Sequence, residues 1–165
     1  MRSLIAVIAF SAIGLTACSD EGPWDGPGGT KMGISKVQVE KYAVLENGTS
    51  NSVGAVMYSS KQAPSMTAQA DTYDYVFSSG DSLCMVQMRF DSVRKTTSPL
   101  MQQLKEKYGM PVKDDKVEWG VVWSGEKYKL DNNLIEIASE FTGTEPNVAA
   151  IVSFTYSNVT DCAPR

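Results

Sequence analysis

Along most of the chain apolar and polar residues alternate with the period of a strand, and one stretch carries the period of a helix. From Ser35 the apolar positions are Val37, Val39, Ala43 and Leu45, followed by Asn47-Gly48 and a second apolar run at Val53–Tyr58. Asn and Gly both tolerate positive φ, so two strands joined as a hairpin are predicted here. Ser35 and Gln38 also match a capping box, which keeps a short opening helix as the alternative. Ser59–Asp71 reads as a polar loop. Thr72–Phe77 then sets Tyr73, Tyr75 and Phe77 on one face, Ser78-Ser79-Gly80-Asp81 makes a turn, and Ser82–Phe90 alternates again. In that run Cys84, Val86, Met88 and Phe90 share one face while Gln87 and Arg89 share the other, which predicts a second hairpin.

Ser98-Pro99 opens the one strong helix, with Leu100, Met101, Leu104 and Tyr108 spaced as a single apolar stripe, and Gly109 and Pro111 end it. Beyond it Val117, Trp119, Val121 and Trp123 alternate with other residues. A Ser124-Gly125 turn leads to Tyr128 and Leu130, an Asn132-Asn133 turn to Leu134–Ala138, and a last strand runs over Val148–Tyr156. About seven strands joined by turns too short for parallel crossovers, with one principal helix, define an α+β fold. The expected architecture is a mainly antiparallel, curved sheet packing its concave face on helix 98–108, with a small β-barrel-like closure as the alternative. The sequence shows no convincing internal repeat.

The first residues follow neither period. Arg2 precedes an uninterrupted apolar run at Leu4–Phe10, and small or apolar residues continue to Ala17. About 14 residues span roughly 21 Å as a helix, short of a hydrocarbon core of about 30 Å, so the segment reads as a signal peptide and not a permanent span. It ends in Leu15-Thr16-Ala17-Cys18, which resembles the lipobox of bacterial lipoprotein precursors. The resemblance covers residues 1–18. It implies that the Cys18 thiol receives a diacylglycerol, that the chain is cut before Cys18, and that the new amino group is acylated. With each buried methylene contributing about 0.8 kcal/mol, two or three acyl chains make a stable anchor. Ser19 after the cysteine is similar to the outer-membrane sorting pattern of enteric bacteria, while Asp20 one place further argues the other way.

Ser19–Thr30 holds four glycines, two prolines and three acids, a composition that cannot bury apolar area and reads as a tether with a reach of about 20 Å. Trp24 within it has two readings, dipping into the lipid interface or packing on the domain. The expected organisation is a signal peptide over 1–17, a tether over 18–31 and one globular domain over 32–165.

Composition narrows the chemistry. The 165 residues carry 15 basic and 19 acidic side chains, a formal charge of -4, and loss of the leader removes only Arg2. Such a balance disfavours a nucleic-acid partner, which needs clustered Lys and Arg. Lys105, Lys107, Lys113 and Lys116 do fall close together, but Glu106, Asp114 and Asp115 interleave with them and the group reads as solvated surface. Histidine is absent, which excludes Ser-His-Asp and Cys-His catalysis and imidazole metal sites.

With Cys18 lipidated, Cys84 and Cys162 form an even pair in an oxidising compartment, and a structural disulfide is predicted. It would close a loop of about 78 residues, contributing at most about 4 kcal/mol in the chain-entropy model. Cys84, Met85 and Met88 look like soft copper ligands, but strand alternation sends Met85 away from the other two and core packing is the expectation. Asp114-Asp115 is expected at the surface. Asn47-Gly48-Thr49 and Asn158-Val159-Thr160 match the glycosylation acceptor pattern and read as chance.

Ser124-Gly125-Glu126-Lys127-Tyr128 resembles the Ser-Gly-x-x-Tyr strand-turn segment of membrane-bound lysozyme inhibitors of the C-type family. That resemblance implies that Ser124 and Lys127 reach into an enzyme's acidic cleft. The family's cysteine-bearing strand with an aromatic residue two places earlier is missing, since Ser82 holds that place before Cys84. Taken together, the sequence leads to the expectation of a noncatalytic, lipid-anchored envelope protein, with no cofactor or metal, that binds a protein or cell-wall component. An immunity protein is a specific member of that class. A lysozyme-inhibitor-like protein and a carboxylate-dependent envelope hydrolase are the alternatives.

Overall fold

The computed structural model describes residues 30–31, 33–52, 54–63, 70–92, 97–131, 133–143 and 148–156. The described chain runs α1 (Lys36–Val39), β1 (Glu46–Ser50), β2 (Val56–Ser60), β3 (Thr72–Phe77), β4 (Leu83–Phe90), α2 (Thr97–Tyr108), β5 (Val112–Lys113), β6 (Gly120–Ser124), β7 (Leu134–Thr142) and β8 (Ala149–Tyr156). All eight strands join one sheet in the order β1-β2-β3-β4-β8-β7-β6-β5, and every pairing is antiparallel. Since β1 and β5 are free edges, the α+β sheet is open and the barrel alternative falls.

The order contains a repeat that alternation alone did not reveal. A helix followed by a four-stranded meander occurs twice, as α1 with β1–β4 and as α2 with β5–β8, and the halves join through their last strands, β4 against β8. Corresponding strands keep step along the sequence: β2 and β6 begin at Val56 and Gly120, β4 and β8 at Leu83 and Ala149.

One row of paired residues shows how the sheet makes its core. Tyr58, Tyr75, Val86, Phe154, Ile137 and Trp123 stand side by side across six strands. They pack with Leu100 and Leu104 of α2 and Val39 of α1. At about 25 cal/mol per Å² of apolar surface removed from water, such a row is the main attraction holding strands distant in sequence together. The predicted stripe on α2 is the one that packs, and Gly109, with φ of +86° and its N–H donating to the Lys105 carbonyl, closes the helix.

Several expected assignments are corrected. Lys36–Val39 is helical because Ser35 accepts from the Gln38 N–H while Gln38 Oε1 accepts from the Ser35 N–H at 2.9 Å, the reciprocal box outweighing a short alternating run. Asn47-Gly48 lies inside β1, where Asn47 takes φ of +54° at a register shift between Glu46 and Thr49. The turn itself comes later, with the Asn51 N–H bonded to the Ala55 carbonyl and the Asn51 side chain to the Ala55 N–H. Val117–Trp119 is a turn, not strand, and the eighth strand is the two-residue β5 before it.

Candidate functional site

The described helices pack on one face of the sheet; the other carries polar side chains at its centre and a separate apolar patch around Val76. On that helix-free face the row adjacent to the apolar one reads Ser59, Asp74, Gln87, Ser153, Ala138, Val122. Its centre is a bonded cluster. Asp74 is 1% exposed, and its carboxylate takes Arg89 Nε at 2.6 Å, Arg89 Nη2 at 3.0 Å and the Ser59 hydroxyl at 2.6 Å. Gln87 donates to Ser153 at 3.1 Å across the β4–β8 junction. A carboxylate this deeply buried is stable only with such partners. The cluster therefore fixes the Arg89 guanidinium, which stays partly exposed, in one orientation on the sheet surface.

At the β6 side the turn 114–119 folds over the same face. Gly120 has no side chain because Val117 fills the space: a Cβ there would lie 2.2 Å from Val117 Cγ2. Asp114 is buried and not at the surface as expected, because its carboxylate accepts the Lys116 N–H at 2.8 Å and its own N–H donates to the Gly120 carbonyl. Lys116 reaches Glu136 at 3.3 Å, and Lys105, Lys107 and Lys113 are exposed as predicted. The turn ends at Trp119, whose carbonyl accepts the Phe141 N–H while 69% of its surface stays exposed.

Cys84 is corrected in its face. It does not share the core with Val86, Met88 and Phe90, because a register shift between Val76 and Phe77 inserts it as an extra residue on β4. It packs instead with Ala55, Val76, Met57 and Met85 in a separate apolar patch. Its sulfur is half of a disulfide and lies 3.2 Å from the Val76 carbonyl oxygen, a close contact and not a hydrogen bond, since a half-cystine has no proton to donate. Cys18 and Cys162 lie outside the described residues, as do Trp24 and the Asn158 acceptor pattern.

Ser124 and Lys127 do meet in one turn. The Ser124 carbonyl accepts the N–H groups of Lys127 and Tyr128 at 2.9 and 2.8 Å, and the Lys127 ammonium stands 5.7 Å from the Tyr128 ring centre. Tyr128 donates to the Met110 carbonyl, which ties the turn to the end of α2. Tyr128 and Leu130 are turn and coil, not strand.

The two ends of the described chain meet at the same end of the sheet. Thr30, placed in the tether by composition, is fully buried and hydrogen-bonds Tyr156 at 3.1 Å. Gly33 and Ile34 bond the backbone of Leu83 beside it. Burial raises the Tyr156 hydroxyl to about 12, the Thr30 contact partly opposing the shift, and burial also raises Tyr75, with Tyr73 adding to it. Lys36 and Lys107 are raised by hydrogen bonds to Glu40 and Asp131. Among the described residues no group of three or more Cys, Asp or Glu is placed to hold a metal ion, and no helix is long and apolar enough to cross a membrane.

Sequence reasoning missed the Asp74, Arg89 and Ser59 cluster and the exposure of Trp119. Strand alternation had put Arg89 on the face opposite Val86, which was the available signal. No protein-family model, curated protein or solved structure matches the chain.

Proposed function

We propose that this chain is a lipid-anchored protein of a bacterial cell envelope, held through Cys18 on the periplasmic side of the outer membrane, whose domain is a noncatalytic binding module for a protein or cell-wall partner. The observation that carries the reading is Leu15-Thr16-Ala17-Cys18 closing an apolar leader. The domain geometry supports it in one respect: the chain enters at Thr30, beside Tyr156 at one end of the sheet, and the segment before it has room for a short tether. That end then faces the membrane. The ends of β2, β4 and β7 and the turn bearing Trp119 face away from it, toward a partner. Tryptophan is a frequent anchor of binding energy, and this indole is held on a backbone pinned to β7. An immunity protein is the specific form of this proposal. The Ser124 and Lys127 turn lies at the membrane-facing end, since Ser124 pairs with Glu136 and Glu136 with Thr155, so the same geometry favours the far end over this turn as the partner surface.

The test is Cys18→Ala in the producing cell. The wild-type chain is expected in the detergent phase with acyl mass on Cys18, and the variant as an uncleaved precursor or a soluble periplasmic product. Unchanged membrane extraction of the variant defeats the proposal.

A further inference from the structure

One row of the helix-free face changes sign along its length. Thr72, Arg89, Ile151, Glu140 and Gly120 stand side by side across β3, β4, β8, β7 and β6. The β3 end is basic. Lys61 Nζ donates to the Thr72 hydroxyl at 2.8 Å and to the Asp71 carbonyl at 2.9 Å, which holds a second cation in the row of Arg89. Buried Asp74 takes Arg89 through Nε and Nη2, and among the described residues nothing accepts from Nη1. The β6 end is acidic. Glu140 is half-buried without an ion partner among the described residues, and the turn over Gly120 adds the exposed carboxylates of Asp115 and Glu118. Ile151, half-buried and uncharged, divides the two halves.

We propose that this face is the contact between two copies of the chain, related by a two-fold axis that runs along β8 over Ile151. In a closed pair the same patch is used by both copies, so it must complement its own reversed image. This row does. Turned about β8, it sets Glu140 of one copy over Arg89 of the other, and the turn carrying Asp115 and Glu118 over Lys61 and Thr72, with Ile151 on Ile151 at the centre. In the adjacent row Ser153 lies on the axis, and Ala138 and Val122 come over Gln87 and Asp74, whose charge Arg89 and Ser59 already satisfy. Glu136, one row further, is neutralised by Lys116. Strands about 4.8 Å apart and same-face residues about 6.7 Å apart give six strands and three rows an extent of roughly 29 Å by 20 Å, or about 600 Å² per copy before the turn is added. Specific pairs bury about 600–1,000 Å² on each partner. Because the axis follows the strands, both copies point their Thr30 ends the same way, as two anchors in one bilayer require. The pairing itself does not rest on the anchor.

Sedimentation equilibrium of the full-length chain in density-matched detergent tests this. The wild type should follow a monomer–dimer equilibrium with no larger species. Glu140→Lys, which sets a lysine over Arg89, should raise the dissociation constant about tenfold or more. Lys61→Glu and Glu118→Lys should each weaken the pair, and the double variant should return to within about threefold of the wild type. Within one copy these two positions flank β2 and β6, about 24 Å apart, so recovery reports contact between copies. Should Glu140→Lys unfold the sheet, the exchange at these two exposed positions still decides. A chain that stays monomeric up to about 100 µM, above the weakest affinities of interfaces this size, overturns the proposal. So does a dimer that a folded Glu140→Lys variant leaves unchanged, or a double variant no tighter than its singles.

Discussion

Tyr156 shows what a single buried polar group does for this domain. Its ring faces the core, and its hydroxyl is satisfied by Thr30, the first described residue. Because burial holds its proton up to about 12 against an ordinary 10.0, the unfolded chain ionises first as pH rises. The contribution to stability is full below about pH 10 and is lost as pH climbs through about 12; two units correspond to roughly 3 kcal/mol. Denaturant midpoints recorded against pH should therefore fall steeply above about pH 10. Tyr156→Phe should flatten that limb while costing about 1 kcal/mol at neutral pH through the lost hydrogen bond. A variant whose alkaline limb superimposes on the wild type shows that other groups control it.

At the scale of elements, local rules decide more than strand alternation does. The capping box turns residues 36–39 into a helix, and Asp81 accepts the Lys36 N–H to hold that helix to the β3–β4 turn. One inserted residue in β4 sends Cys84 to the opposite face from Val86. The turn over Gly120 is equally specific, since Val117 occupies the place of a side chain there. Gly120→Ala should cost about 1–3 kcal/mol by overpacking, read as a lower urea midpoint. Adding Val117→Ala should recover part of the loss, because the two sites share one space. Equal midpoints for the single and double variants would mean that the turn does not close on the sheet as described.

For the whole molecule, the anchor proposed above would make the end of the sheet bearing Thr30 the membrane-facing one. With Thr30 beside Tyr156 at one end of the sheet and Trp119 at the other, that proposal predicts that Trp119 stands clear of the bilayer. In lipidated protein on vesicles, with Trp24→Phe leaving only Trp119 and the fully buried Trp123, aqueous iodide should quench the exposed Trp119 component of the emission, a component that Trp119→Phe removes. Bromine atoms buried among the acyl chains should leave it untouched. Strong quenching by the bromolipid would reverse the orientation proposed here. Cys84, near the start of β4, lies at the same end of the sheet as Thr30, while the Asp74 and Arg89 cluster lies further along β3 and β4.

The strand periods, the stripe on α2 and the Gly109 stop were legible because each depends on neighbours a few residues apart: alternation along β8 and three-or-four spacing in the helix reappear as buried side chains at Ala150, Val152, Phe154 and Tyr156 and at Leu100 and Leu104. Antiparallel pairing followed from turns too short to cross over. The proposed leader ending before Cys18 rests on sequence pattern alone, since residues 1–29 lie outside the described ones. Tertiary structure alone decided that β8 returns to β4, which makes two helix-and-meander halves, because that join connects segments separated by α2 and three strands. It also decided which residues become ion partners on the helix-free face and where the extra residue of β4 falls. Register between strands is settled by packing across the whole sheet, and no local pattern carries it.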